Sequence, residues 1–269
     1  MNAFICTTCG TQFAPSSGPP EHCPICTDER QYVPPEGQQW TTLGAMQADG
    51  YRNELDEPEP NLAGIRTQPE FAIGQRAMLI QTRDGNLLWD CVSYIDEPTI
   101  RRLGELGGVD AIAISHPHFY SSMNEWSEAF GHVPVYLNQA DRDWVMYPGA
   151  NLRFWQEEQK LFGWLKLLRT GGHFPGSSVC YWPGGAEGRG VLLTADSPQV
   201  SADRKSVSVM RSYPNLIPAA PSQVERVLET LRPLTFDRVY GMFRRLVIPS
   251  DGKQAVVESL ERYLRQVSE

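Results

Sequence analysis

Residues 109–122 read VDAIAISHPHFYSS. The first seven form a short apolar run, as expected of a buried strand. Such a strand delivers His116 and His118 at its end, where loops collect functional groups. Two later segments repeat the arrangement. LKLLRT (165–170) is followed by Gly171, Gly172 and His173, and GVLLTA (190–195) by Asp196. Four groups with metal-ligand chemistry therefore stand at the ends of three strands. Three imidazoles suit zinc, and a carboxylate serves as a fourth ligand or holds a water. A subset of His116, His173 and Asp196 makes a two-histidine, one-carboxylate face that suits iron and leaves positions open for oxygen. The alternative is that each group is structural and the set binds nothing.

Working outward, AMLIQT (77–82) and NLLWDC (86–91) are strand-like runs joined by Arg83-Asp84-Gly85, a hairpin signal. Residues 98–106 read as a short helix ended by Gly107-Gly108. VPVYL (133–137) is a strand, with a helix expected over Gln139–Met146. Residues 153–165 are expected to be helical and carry Phe154, Trp155, Phe162 and Trp164. They serve as core packing, a lid, or an apolar wall for a substrate. SSVCYW and FDRVYG are further strands. Ser222 and Glu225 form a capping-box pair ahead of Val224, Val227, Leu228 and Leu231 at helical spacing. Ser250 or Asp251 caps a last helix with the stripe Val256, Leu260, Tyr263, Leu264 and Val267. Hairpins followed by alternating strands and helices predict a layered α/β domain over 71–269. Residues 41–70 are polar and contain Pro58, Pro60 and Pro69, and are read as a connector.

The N-terminal stretch, 1–40, is different. CTTC (6–9) and CPIC (23–26) are separated by thirteen residues. Each Cys-x-x-Cys turn sets two thiolates on one side of an ion, so Cys6, Cys9, Cys23 and Cys26 complete a tetrahedral shell. A redox dithiol needs a single pair and a thioredoxin-like context, which is absent. The expected module is a zinc ribbon or rubredoxin-like knuckle, with iron as the other candidate metal. Four thiolates leave no open position, so this zinc is a folding device and a possible docking surface for a protein partner. His22 and His132 read as surface residues, and Cys91 and Cys180 as small buried hydrophobes.

The chain has 269 residues, 41% of them hydrophobic, and a formal net charge of −8. That charge argues against nucleic-acid or anionic-membrane binding. The start, MNAFICTTCG, lacks a basic and apolar signal, and no apolar run is long enough to span a bilayer. A soluble cytoplasmic protein is expected, and its reduced cysteines fit that compartment.

The motifs SHPHFYSS (115–122), TGGHFPGS (170–177) and LLTADS (192–197), in this order, resemble those of the metallo-β-lactamase superfamily. The likeness covers about residues 71–269 and includes Asp90 at the end of an early strand. It implies an αββα sandwich with metal at one edge of the sheets. It also implies His116, His118, His173 and Asp196 as ligands and a small-molecule substrate. The sequence departs from the family where Tyr120-Ser121 stands for Asp-His and Met242 for the last histidine. Three of the four ligands of the family's second metal are thus replaced, and at most one metal, zinc or iron, is expected in the main domain. Asp196 is then the expected base and Tyr120 an oxyanion donor, with Tyr213 and Arg244 placed to contact substrate. The resemblance implies a metal-dependent hydrolase. A non-catalytic binding or regulatory member is the alternative, and a mononuclear iron oxidoreductase a third reading.

Overall fold

The computed structural model describes residues 1–149 and 151–267; residues 150, 268 and 269, included in the expected span of the main domain, lie outside the described residues. Strand Arg76–Thr82 shows how the layers arise. Successive side chains on a strand face opposite ways. Ala77 and Leu79 accordingly join one apolar cluster, and Met78 and Ile80 another. The next strand, Gly85–Trp89, repeats this: Leu88 sides with Leu79, while Leu87 and Trp89 side with Met78. In the second sheet, Leu165, Leu167, Cys180, Val191 and Leu193 face the first sheet. Leu168, Val179 and Leu192 face away from it.

Two sheets therefore share a central core, and each outer face is covered by helices. Helices Glu97–Glu105 and Met123–Ala129 supply Leu103, Met123 and Trp126 to one outer cluster. Helices Pro221–Leu231 and Gly252–Val267 supply Val224, Val227, Val256 and Leu260 to the other. The αββα sandwich expected from the sequence is the fold. Burying each large aliphatic side chain contributes roughly 1.5–3 kcal/mol, so the period-2 alternation is what selects this layering.

The first sheet has seven strands in the order Arg52–Glu59, Leu62–Gln68, Arg76–Thr82, Gly85–Trp89, Ala111–Ala113, Val135–Asn138, Leu152–Trp155. The last four are mutually parallel. Their C-terminal ends line one edge, which is where His116 emerges. The second sheet has six: Glu158–Leu161, Leu165–Arg169, Ser178–Trp182, Val191–Leu193, Arg238–Tyr240, Val247–Ile248. Among the described residues, no helix is long and apolar enough to cross a membrane.

Several sequence expectations need correction. Most of the supposed connector is sheet: Arg52–Glu59 and Leu62–Gln68 pair antiparallel along most of their length. Arg52–Glu59 reads as linker because it is an edge strand, where charge and proline suit a face with only one neighbour. Residues 153–165 are not helical. Trp155 closes the first sheet, Leu161 and Leu165 open the second, and all three reach the central core. Gly163, at φ +72°, turns the chain between the strands. The stretch after Val135–Asn138 is a 3-10 run, Gln139–Trp144. The Ser222–Glu225 box is displaced: helix Pro221–Leu231 starts earlier, and the Gln223 side chain accepts from the Ala220 N–H at 3.1 Å. Proline suits the first helical position because its missing N–H would be unbonded there.

The N-terminal residues fold as a ribbon. Strand Ile5–Cys6 pairs with Trp40–Thr41, and helix Pro24–Thr27 carries Cys26, with Cys23 just ahead of its first residue. The ribbon lies against the sandwich. Ser93 Oγ donates to the Gly10 carbonyl at 2.9 Å, and the Gln12 N–H to the Ser121 carbonyl at 3.0 Å. Cys91 and Cys180 are free and buried, and burial pushes both thiols up.

Candidate metal centre

Asp90 ends its strand at φ +61° and turns its carboxylate back, so that Oδ1 accepts from the Ser115 N–H at 2.8 Å. Burial pushes the Asp90 carboxyl up to about 7. Ser115 Oγ lies 2.9 Å from His116 Nδ1, which leaves Nε2 as the inward atom. Pro117 starts a 3-10 turn, Pro117–Phe119, that brings His118 round beside His116. On the second sheet, the chain turns sharply through Gly171 and Gly172 to present His173. Gly172 has φ +87°, and a β-carbon there would lie 2.4 Å from Ser197 Oγ. His173 Nδ1 sits 3.0 Å from the Met210 carbonyl. A carbonyl only accepts, so Nδ1 carries the proton and Nε2 offers its lone pair inward. Asp196 follows Val191–Leu193, and the Tyr213 hydroxyl donates to its main-chain carbonyl at 2.8 Å.

These elements bring together all four residues that the strand-end reading singled out. Asp196 Oδ2 lies 3.2 Å from His116 Nε2, 3.5 Å from His173 Nε2 and 3.9 Å from His118 Nδ1. His173 Nε2 is 3.2 Å from His118 Nδ1. Zinc–nitrogen bonds of about 2.0–2.1 Å in a tetrahedron set ligand atoms about 3.3 Å apart. Three of the four spacings lie within about 0.2 Å of that edge, and the His118–Asp196 spacing is longer. His116 Nε2 is buried, yet it makes no hydrogen bond despite its closeness to Asp196. His116 Nε2 and Asp196 Oδ2, close but misaligned, thus point at a shared centre. His116, His118, His173 and Asp196 are 2, 3, 1 and 8% exposed. Burial lowers the titration of His118 and holds that of His173 well below the usual histidine range, so both are neutral and competent as ligands. Burial opposes ionisation of Asp196. The imidazoles of His116, His118 and His173 beside it outweigh burial, and its carboxyl is held far below the usual range.

The cysteines form a second cluster. Cys6 and Cys26 sulfurs are 3.5 Å apart, and those of Cys9 and Cys23 3.7 Å. Zinc–sulfur bonds of about 2.3 Å require about 3.8 Å between sulfurs. The other thiols and the Gln38 amide, at 3.0 Å, turn toward Cys6 Sγ, and the thiol interactions hold it far below its usual range. Both clusters thus fit a metal by donor type and spacing.

Of the three other candidates, Tyr120 and Arg244 fall elsewhere. The Tyr120 ring is buried in an outer core cluster, and its hydroxyl donates to the Asp141 carbonyl at 3.3 Å. That phenol is occupied in packing and cannot serve as the expected oxyanion donor. Met242 packs in the same cluster. Ser121 Oγ accepts from Gln75 at 3.1 Å and donates to the Cys91 carbonyl. The expected second-metal side is therefore filled by packing and neutral hydrogen bonds. Arg244 is exposed and pairs with Asp56 at 2.8 Å, so its guanidinium serves the edge strand instead of a substrate. Tyr213 supports Asp196 from behind through its main-chain carbonyl and stands 5.8 Å, ring to ring, from His173.

Sequence reasoning missed Arg30. It reaches out of the ribbon and donates from Nε to the His173 carbonyl at 2.9 Å. Its guanidinium lies 4.5 Å from the centre of the Phe174 ring. The only signal was the charged triplet Asp28-Glu29-Arg30, one residue beyond CPIC. Asp141 was also missed. It is buried, its Oδ1 accepts from the Gly176 N–H at 2.8 Å, and burial pushes its carboxyl up to about 6.

Fold and site define the class: the chain belongs to the metallo-beta-lactamase superfamily, whose family profile matches residues 72–241. Over its full length it is similar to the uncharacterized protein YmaE of Bacillus subtilis (strain 168), 47% identical over 270 residues that cover 100% of this chain and 98% of that one. Among solved structures, DIM-1 metallo-beta-lactamase matches with a TM-score of 0.59 at 13% identity, over 81% of this chain and 99% of that chain. A B3 metallo-beta-lactamase with an active-site glutamic acid matches at 0.53 and 16% identity, over 80% and 88%. At such identities the likeness is one of fold.

Proposed function

We propose that the chain is a cytoplasmic metal-dependent hydrolase of a small molecule, working with one zinc in the main domain and a structural zinc in the ribbon. The convergence of His116 Nε2, His118 Nδ1, His173 Nε2 and Asp196 Oδ2 near the edge lengths of a tetrahedral shell carries the reading. Those four residues would hold the ion. When bound and opened to a fifth ligand, zinc would polarise a substrate's carbonyl or phosphoryl group and supply hydroxide near neutral pH.

The protein's own contribution is orientation and proton handling. Ser115 and the Met210 carbonyl fix two imidazoles. Asp196 Oδ2 faces the imidazoles, which leaves Oδ1 as the proton acceptor. Asp196 is the most exposed of the four, so it marks the side from which substrate arrives. No residue names the substrate, because this fold supports many chemistries.

The burial of all four ligands favours a second reading, a non-catalytic member whose metal is sealed in place. Catalytic zinc sites keep an open position. Metal analysis with a hydrolysis panel separates the two. Two zincs per chain are expected, one of them lost in His116→Ala/His173→Ala. Turnover of an ester, thioester, lactone, phosphodiester or β-lactam should vanish in the same variant. Two zincs with no turnover across that panel would leave the sealed-metal reading, and iron at the histidines would replace the hydrolase with an oxidoreductase.

A further inference from the structure

One side chain joins the two clusters. Arg30 Nε donates to the His173 carbonyl at 2.9 Å, and Nη1 to Asp28 Oδ1 at 2.7 Å. The same Asp28 oxygen accepts from the Arg30 N–H at 3.0 Å. Asp28 ends helix Pro24–Thr27, which contains Cys26, and its N–H bonds to the Pro24 carbonyl. The carboxylate that aims Arg30 is thus placed by the knuckle folded around the cysteines. Asp28 also neutralises the guanidinium, so the contact brings no net charge to a cation site.

The ribbon grips His173 from a second direction. Ser212 Oγ donates to the Arg30 carbonyl at 3.1 Å, and Asn215 Nδ2 to the Glu29 and Gln31 carbonyls at 3.0 Å each. Arg211 pairs with Glu29. The segment held this way begins at Met210, whose carbonyl fixes the His173 ring. His173 is therefore held at its backbone by the ribbon, and at its ring by a strand the ribbon holds.

We propose that Arg30 is a positioning residue for the main-domain metal, and that metal binding at the cysteines and at the histidines is coupled through it. The proposal rests on reading both clusters as metal sites. A partner that orients a metal ligand typically changes affinity by about 10–100-fold. Arg30 acts on the backbone of one ligand of four, which puts its effect near tenfold. Coupling is reciprocal, so the histidine metal also secures the ribbon.

Cobalt(II) tests this on the full chain, because thiolate-to-cobalt charge-transfer bands report the cysteines while d–d bands free of sulfur report the histidines. Arg30→Met keeps the stem and loses the donors. It is expected to weaken cobalt at the histidines about tenfold, with the charge-transfer bands unchanged. Arg30→Lys, with a single donor nitrogen and no fork, recovers part of the loss. Displacing cysteine-bound cobalt with an organomercurial should speed release from the histidines in wild type and much less so in Arg30→Met. An Arg30→Met affinity within twofold of wild type, with both sites loaded, overturns the coupling. If Arg30→Met does not fold, Asp28→Asn decides: a smaller loss in the same direction supports the proposal, and none overturns it. A wild-type chain that takes cobalt only at its cysteines overturns the main-domain site itself.

Discussion

Gly172→Ala is the sharpest test of how the second sheet presents His173. Gly172 sits at φ +87°, and a β-carbon there would meet Ser197 Oγ at 2.4 Å, Val209 Cγ1 at 2.9 Å and Val227 Cγ2 at 3.4 Å. The left-handed backbone costs an L-residue about 1–2 kcal/mol. Crowding a packed site adds about 1–3 kcal/mol. We expect a loss of about 3.5 kcal/mol in urea unfolding of the metal-loaded protein, the middle of that combined range. Because His173 is the next residue, the histidine-bound metal should be lost as well, while the cysteine-bound metal stays. Ser197→Ala alone removes a hydrogen bond to the Gly171 carbonyl and costs about 1 kcal/mol. The double variant removes the closest clash, so its loss should fall short of the summed singles by about 1 kcal/mol or more. Gly172→Ala within about 0.5 kcal/mol of wild type, with both metals retained, would refute this account of the turn.

Further outcomes follow from other parts of the molecule. Asp90 titrates at about 7 when folded, against a usual 3.8. Between those values the folded chain holds a proton that the unfolded chain has lost, so stability falls as pH rises through this window. In metal-free protein, Asp90→Asn should flatten that pH dependence and raise stability at pH 8 by up to about 4 kcal/mol; an unchanged melting profile from pH 4 to 8 would contradict it. Leu167→Ala opens a cavity in the central core and should cost about 2–5 kcal/mol in urea unfolding, whereas Leu216→Ala, exposed, should change it by less than about 0.5 kcal/mol. Stripping metal with a strong chelator and thiol reagent should unfold the ribbon, read as faster proteolysis within residues 1–40; an equally resistant apo-chain would show that the cysteines need no ion.

What could be read from sequence was whatever is local. VDAIAIS, LKLLRT and GVLLTA announce themselves as buried strands, and the residues that follow them are fixed by chain continuity. That suffices to assemble His116, His118, His173 and Asp196. Edge strand Arg52–Glu59 was illegible because its polarity is that of a linker. Residues 153–165 misled because their aromatic content hides a crossing from one sheet to the other, with Gly163 as the only break. Arg30 could not be found at all. Its partner His173 lies 143 residues away, and nothing in DER marks a side chain that will be buried. Tyr120 failed for a related reason: position in a motif says which turn a residue occupies, not which way its hydroxyl points.

The ribbon's seat on the sandwich also sets an order of assembly. Cys6 and Cys26 are only twenty residues apart, so the knuckle can close while the rest of the chain is still on the ribosome. Its grip on Asn215 spans 184 residues and must wait until most of the protein has been made. The bond from Arg30 to the His173 carbonyl likewise spans 143 residues, so the support the ribbon gives that ligand forms only after His173 has been made.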